Sequence, residues 1–354
     1  MFRAPRAGIL ILAALAFPAD AQSFVSPCKP GDAHCAARAI ESSPAKKLAF
    51  WSAALARPVE DRIGIAPPEL IALLAIENVR HRIPNKPRMP TLGEEFLADV
   101  RTAFAELPET LRQRVADKLA GIYCVDDMGS TGFTDMVHDA AGAPKAAFIL
   151  LDASVLQKYT ANAWATWKES TPFRADGNNR LEAIIEDSAN DNRVSAIQYI
   201  LLHELGHVLS VGGTFHPNWN LPPARVRSTT EFPFFEQSWF IAPEDARYAS
   251  HFDYAFPQRK EVAYYVGKRL PASEMLPIYE RLESTNFPTL YAATHPADDF
   301  AESLASYVHT VMLRKPFEIR IFRDGEVAKR YGSCWSEPRC AGKRRILEEY
   351  LDPG

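Results

Sequence analysis

Apolar residues recur at helical spacing through the first third of this chain. They shift to short unbroken runs in the middle and return to helical spacing near residue 200. Leu70, Ile71, Leu73, Leu74 and Ile76 follow Pro67-Pro68-Glu69, which predicts a helix that ends before Arg82. Phe96 to Leu107, with Thr91 and Glu94 as a capping box, and the stretch from Pro108 to Leu119 read the same way. From Gly121 the texture alters. Ile122 to Val125 is a short strand, Gly129-Ser130-Thr131-Gly132 a turn, and Ala146 to Leu151 a buried strand. Val194, Ile197, Ile200, Leu201, Leu205 and Val208 restore the 3.6 period, with Asn190-Asp191-Asn192 as cap candidates and Gly212-Gly213 as the stop. Pro271-Ala272-Ser273 opens a helix to Leu282, and Pro296 opens another with Phe300, Leu304 and Tyr307 as its stripe. The pattern describes an α+β chain: a helical segment over residues 22–120, then a part with a small sheet over residues 121–354.

The start of the chain has its own character. Arg3 and Arg6 precede an apolar run from Gly8 to Phe17, and Ala19-Asp20-Ala21 suits small-residue cleavage, so residues 1–21 read as a signal peptide. No other run is long enough to span a bilayer, and the expected destination is secretion or the periplasm. The formal charge of −4, or −5 once Arg3, Arg6 and Asp20 are gone, argues against nucleic acid as a partner. Of five cysteines, Cys28 and Cys35 bracket one short turn and Cys334 and Cys340 another, so two local disulfides are expected. Cys124, in an apolar run, reads as a buried free thiol.

Chemistry concentrates in Ile200-Leu201-Leu202-His203-Glu204-Leu205-Gly206-His207-Val208-Leu209. On a helix His203 and His207 lie one turn apart on one face, where both imidazoles reach a single metal ion. Glu204 sits about 100° further round, where it can touch water at the metal without being a ligand. An amphipathic core helix with two edge histidines is the bland alternative, but burying two imidazoles and a carboxylate without an ion is costly. Gly206 costs about 1 kcal/mol against Ala in a helix interior, which makes sense where a second backbone must approach. Trp164, Trp167 and Phe173 are candidates to line a cleft, and the Ala146–Leu151 strand offers an edge to an extended peptide if it is exposed. The Gly-Ser-Thr-Gly turn lacks the lysine and spacing of a phosphate loop, and no G-x-S-x-G turn is present.

A catalytic zinc needs a third protein ligand. His216, nine residues past His207, fits no recognised spacing. Asp298 and Glu302 lie i, i+4 on the helix that Pro296 opens, so one can bind the metal while the other accepts a hydrogen bond from a ligating histidine. The pairing of His-Glu-Leu-Gly-His with Tyr291, six residues, and Asp298-Asp299-Phe300-Ala301-Glu302 resembles the glutamate-type zincins related to anthrax lethal factor and the Pro-Pro endopeptidases. The resemblance extends over roughly residues 121–313 and is strong only at these two motifs. It implies a zincin-like catalytic domain, a Zn2+ cofactor held by His203, His207 and Asp298, Glu302 in the outer acidic position, and Tyr291 as the residue that stabilises the tetrahedral intermediate. Two departures stand out: Asp occupies the ligand position where the family has Glu, and the gap between motifs is long. Asp is one methylene shorter, so an exchange of roles between Asp298 and Glu302 stays open.

The expected function is therefore that of an exported zinc metallopeptidase acting on peptide or protein substrates, with Glu204 as general base. His295 is a weaker candidate than Tyr291 for the oxyanion. The competing expectation is a zincin-fold module that binds peptides or cell-wall components without catalysis.

Overall fold

The computed structural model describes residues 26–213, 215–265 and 270–351. The expected signal peptide lies outside them. Its architecture is a mixture of helices and small sheets, an α+β arrangement. The main sheet has four strands: β1 (Ile63–Ile65), β2 (Leu119–Val125), β3 (Gly132–His138) and β4 (Pro144–Asp152), in the order β1-β2-β4-β3. β1, β2 and β4 run parallel, and β3 returns antiparallel along β4.

The unbroken apolar runs of β2 and β4 follow from burial on both faces. Ala147, Ile149 and Leu151 enter one core together with Leu119, Ile122 and Cys124, whereas Ala146, Phe148 and Leu150 enter a second core with Ala120 and Val125. Helices Ala33–Ser42, Leu48–Leu55 and Pro68–His81 supply much of the second core. The first is built around helix Arg193–Ser210, with Glu94–Ala105 and Pro296–Tyr307 packed on it. The long helix thus lies against the sheet under β3 and β4. Asn192 is its cap, accepting from Ser195 N. In the Glu94–Ala105 helix Gly93 stands at the N-cap, so the expected box from Thr91 is not formed.

Residues 22–120 contribute more than helices. Ile63–Ile65 adds β1 to the sheet, and the Arg62 guanidinium donates to Leu55, Arg57, Ala116 and Leu119 carbonyls. The expected strand at Ala146–Leu151 is present but interior, paired on both sides. The outer strand beside it is instead Gly132–His138, bridged on its free side only at His138, by Lys47, and not announced by the sequence pattern.

A smaller antiparallel sheet orders Glu326–Gly332, Glu318–Arg323 and Asn179–Ile184. Both expected disulfides, Cys28–Cys35 and Cys334–Cys340, are formed, and Cys124 is free and buried, its thiol pushed up to about 12 chiefly by burial. Disulfides of this kind fit an oxidising compartment. Among the described residues no helix is long and apolar enough to cross a membrane.

Candidate metal and catalytic site

Two helices make the site. Gly206 faces Ala301 so closely that a Cβ on residue 206 would lie 2.6 Å from the Ala301 Cα. Glycine is the residue that lets the helix Pro296–Tyr307 come this near. Ala301 sits between Asp298 and Glu302, so the close approach carries both carboxylates to the two histidines.

The arrangement separates them. His203 Nδ1 lies 3.0 Å from Glu302 Oε1 and donates to it, which turns Nε2 of that ring inward as the lone-pair nitrogen. His207 Nε2 lies 3.2 Å from His203 Nε2 and 3.7 Å from Asp298 Oδ1. One donor atom from each of His203, His207 and Asp298 falls within 4.8 Å of the others. Glu302 is on the far side of the His203 ring. It also accepts from Thr289 Oγ1 at 2.7 Å and from Lys168 Nζ at 3.0 Å.

Glu204 is buried on the sheet side of the helix. Thr134 Oγ1, on the free edge strand β3, donates to its Oε2 at 2.6 Å. Gly132 of the same strand lies under the carboxylate, where a Cβ would overlap Glu204 Oε1. Tyr291 stacks on His203, with ring centroids 5.3 Å apart and planes within 7°. A cavity of about 220 Å³ opens beside these groups, walled by Thr131, Gly132, Trp164, Tyr199, Tyr265 and Tyr291. Of the aromatics expected near a cleft, Trp164 lines it. Trp167 stacks outside on Tyr159, and Phe173 is a core residue in a short strand.

Electrostatics follow from burial. Burial raises the Glu204 carboxyl, with His203 and Thr134 opposing, and lifts Asp298 to about 6 against the pull of His203. Burial holds His207 well below the usual imidazole range, and the neighbouring His203 adds to this. For His203 burial works against the proton, but the bond and charge of Glu302 outweigh it and the balance is upward. Tyr291 is pushed well above 10 by burial and by Asp298, so it is a neutral phenol and a donor.

Whether these residues suit zinc can be tested on two observations. Tetrahedral geometry with Zn–N of roughly 2.0–2.1 Å places two ligating nitrogens about 3.3 Å apart, close to the Nε2 separation of the histidines. The charge balance also suits a cation: the buried Lys168 ammonium pairs with Glu302 and Glu169, while among the described residues no lysine or arginine pairs with Glu204 or Asp298. Two imidazoles and a carboxylate are a donor set that zinc takes with a fourth position open. The residues fit.

His216 does not join the cluster; its ring Nδ1 donates to the Pro217 carbonyl at 2.8 Å and burial lowers it to about 4. His295 caps the second helix, accepting from Ala297 N at 3.2 Å, and is held at about 4 chiefly by burial. Thr134, Thr289 and Lys168 were not anticipated. Only Lys168 left a trace: it is a charge on the buried stripe of Ala161, Trp164 and Ala165, at helical spacing. No family model matches this chain, and neither curated proteins nor solved structures yielded a match.

Proposed function

We propose that this protein is an exported zinc-dependent metallopeptidase of zincin type, in which His203, His207 and Asp298 are the ligands. The observation that carries the reading is the division of labour among four groups: three donor atoms converge, while Glu204 is held beside them by Thr134. Glu302 on His203 Nδ1 supports its assignment as the outer acid rather than the ligand. The sheet with an antiparallel edge strand over the long helix, and a second helix crossing it, is consistent with the zincin resemblance drawn from the motifs.

Zinc, when bound there, supplies Lewis-acid polarisation of a carbonyl and makes water acidic enough to react near neutral pH. The protein's own groups do the rest. Glu204, with a raised carboxyl and a fixed orientation, takes the proton of the attacking water and returns it to the leaving amine. The Tyr291 phenol donates to the carbonyl oxygen as negative charge gathers on it. The free edge of β3 at Gly132–Thr134 gives an extended peptide backbone partners without reading its side chains.

The test uses the full mature chain, with zinc content measured, on denatured protein and on a peptide library. Wild type should cleave, and Glu204→Gln should retain zinc while losing about 100-fold or more. Equal activity in the two proteins, or no cleavage by stoichiometrically zinc-loaded wild type, would sink the proposal.

A further inference from the structure

Lys168 has no task in the scheme above, yet among the described residues it is the one lysine or arginine lining the cavity. Its ammonium is buried on helix Ala161–Ser170, a third element separate from the two that carry the motifs. Nζ lies 3.0 Å from Glu302 Oε1 and 3.2 Å from Glu169 Oε1, and 4.8 Å from the centroid of the Tyr291 ring. Glu302 Oε1 therefore accepts from both His203 Nδ1 and Lys168, and its other oxygen accepts from Thr289. This leaves the carboxylate no freedom to turn away from the imidazole. Glu169 does not need Lys168 for hydrogen bonds. Its Oε2 accepts from Tyr264 at 2.7 Å and from Tyr279 at 3.1 Å.

A buried ammonium costs several kcal/mol in desolvation, and an apolar side chain of equal volume would fill the same space more cheaply. A cation kept at this place, with its shortest contact on the acid behind a ligating histidine, is best explained by what it does to that acid. We propose that Lys168 is a positioning residue of the metal centre: it locks Glu302 on His203 Nδ1, and so fixes the tautomer and ring direction that point His203 Nε2 at the metal.

The inference rests on the zinc reading, and the experiment separates the two. The zinc dissociation constant of the full mature chain is measured by competition with a chromogenic chelator at one pH, for wild type, Lys168→Met, Glu302→Gln and the double variant of the two. If wild type binds no zinc, the zinc reading fails and this one with it. If wild type binds, Lys168→Met should weaken binding about 10- to 100-fold, as loss of an outer partner of a metal ligand does. In the Glu302→Gln background the same change should cost less than about threefold, because Lys168 acts through Glu302. The cobalt-substituted Lys168→Met protein should show an altered ligand-field spectrum, which a purely structural role would leave as in wild type.

Because Lys168→Met also removes the cation beside Glu169, Lys168→Met/Glu169→Gln serves as the folding-safe form and should keep the weakened binding. Unchanged zinc affinity in a folded Lys168→Met protein, losses that simply add with Glu302→Gln, or full recovery in the Glu169→Gln double variant would each overturn the proposal.

Discussion

Single atoms decide the assignments at this site. Asp298 and Glu302 are one turn apart on one helix, yet one lies with the inward nitrogens of both histidines and the other behind one of them. Asp298→Ala should therefore abolish stoichiometric zinc binding, while Glu302→Gln should weaken it about 10- to 100-fold and leave the stoichiometry intact. Metal analysis of both purified variants checks this, and the opposite ranking would exchange the roles. In the proposed scheme Thr134 touches only the base. Thr134→Val removes the bond to Glu204 Oε2, and since a hydrogen bond to a charged group is worth about 1.5–3 kcal/mol, kcat should fall about tenfold or more with zinc affinity unchanged. Steady-state kinetics beside a chelator titration would show the split.

Among elements, the contact of the two site helices is the tightest constraint. Gly206→Ala places a methyl group 2.6 Å from the Ala301 Cα, so the helices must part; the overpacking should cost about 1–3 kcal/mol and weaken zinc binding as well. Thermal denaturation with and without zinc reads both effects. This constraint was legible in the sequence, because a glycine inside a periodic helix states locally that something approaches. His203, Glu204 and His207 were legible for the same reason, as was the shared face of Asp298 and Glu302: helical spacing fixes which side chains are neighbours. The partners that hold them were not. Thr134 is 70 residues from Glu204 and Lys168 is 134 from Glu302, and no local period reports a contact of that range. The edge strand is not legible because Gly132-Phe133-Thr134-Asp135 turns Thr134 toward the helix and Asp135 toward Lys46 instead of showing a clean apolar alternation. The buried run at Ala146–Leu151 announces a strand, but nothing in an unbroken run tells an interior strand from an edge.

At the scale of the whole molecule, burial of so many acids would make metal binding at the proposed site a matter of protons. Without metal Asp298 keeps its proton up to about 6, and His203 is held above the ordinary imidazole value. Zinc must displace both protons at low pH, so its affinity should fall as pH drops below neutrality and fall more steeply below about 6, each proton contributing up to about tenfold per pH unit. Chelator competition from pH 5 to 8 checks the sign; an affinity independent of pH would contradict the raised groups. A last consequence concerns the first hundred residues. Because Ile63–Ile65 is the outer strand beside Leu119–Val125, Arg62 donates to the Ala116 and Leu119 carbonyls across that junction, and Arg193 at the start of the long helix pairs with Asp99, removing residues 63–118 would strip a strand from the sheet and a partner from the long helix. A protease that discarded that region would take part of the support of the candidate site with it. Under the proposed function, control would then fall to what enters the cleft and not to the shedding of that region.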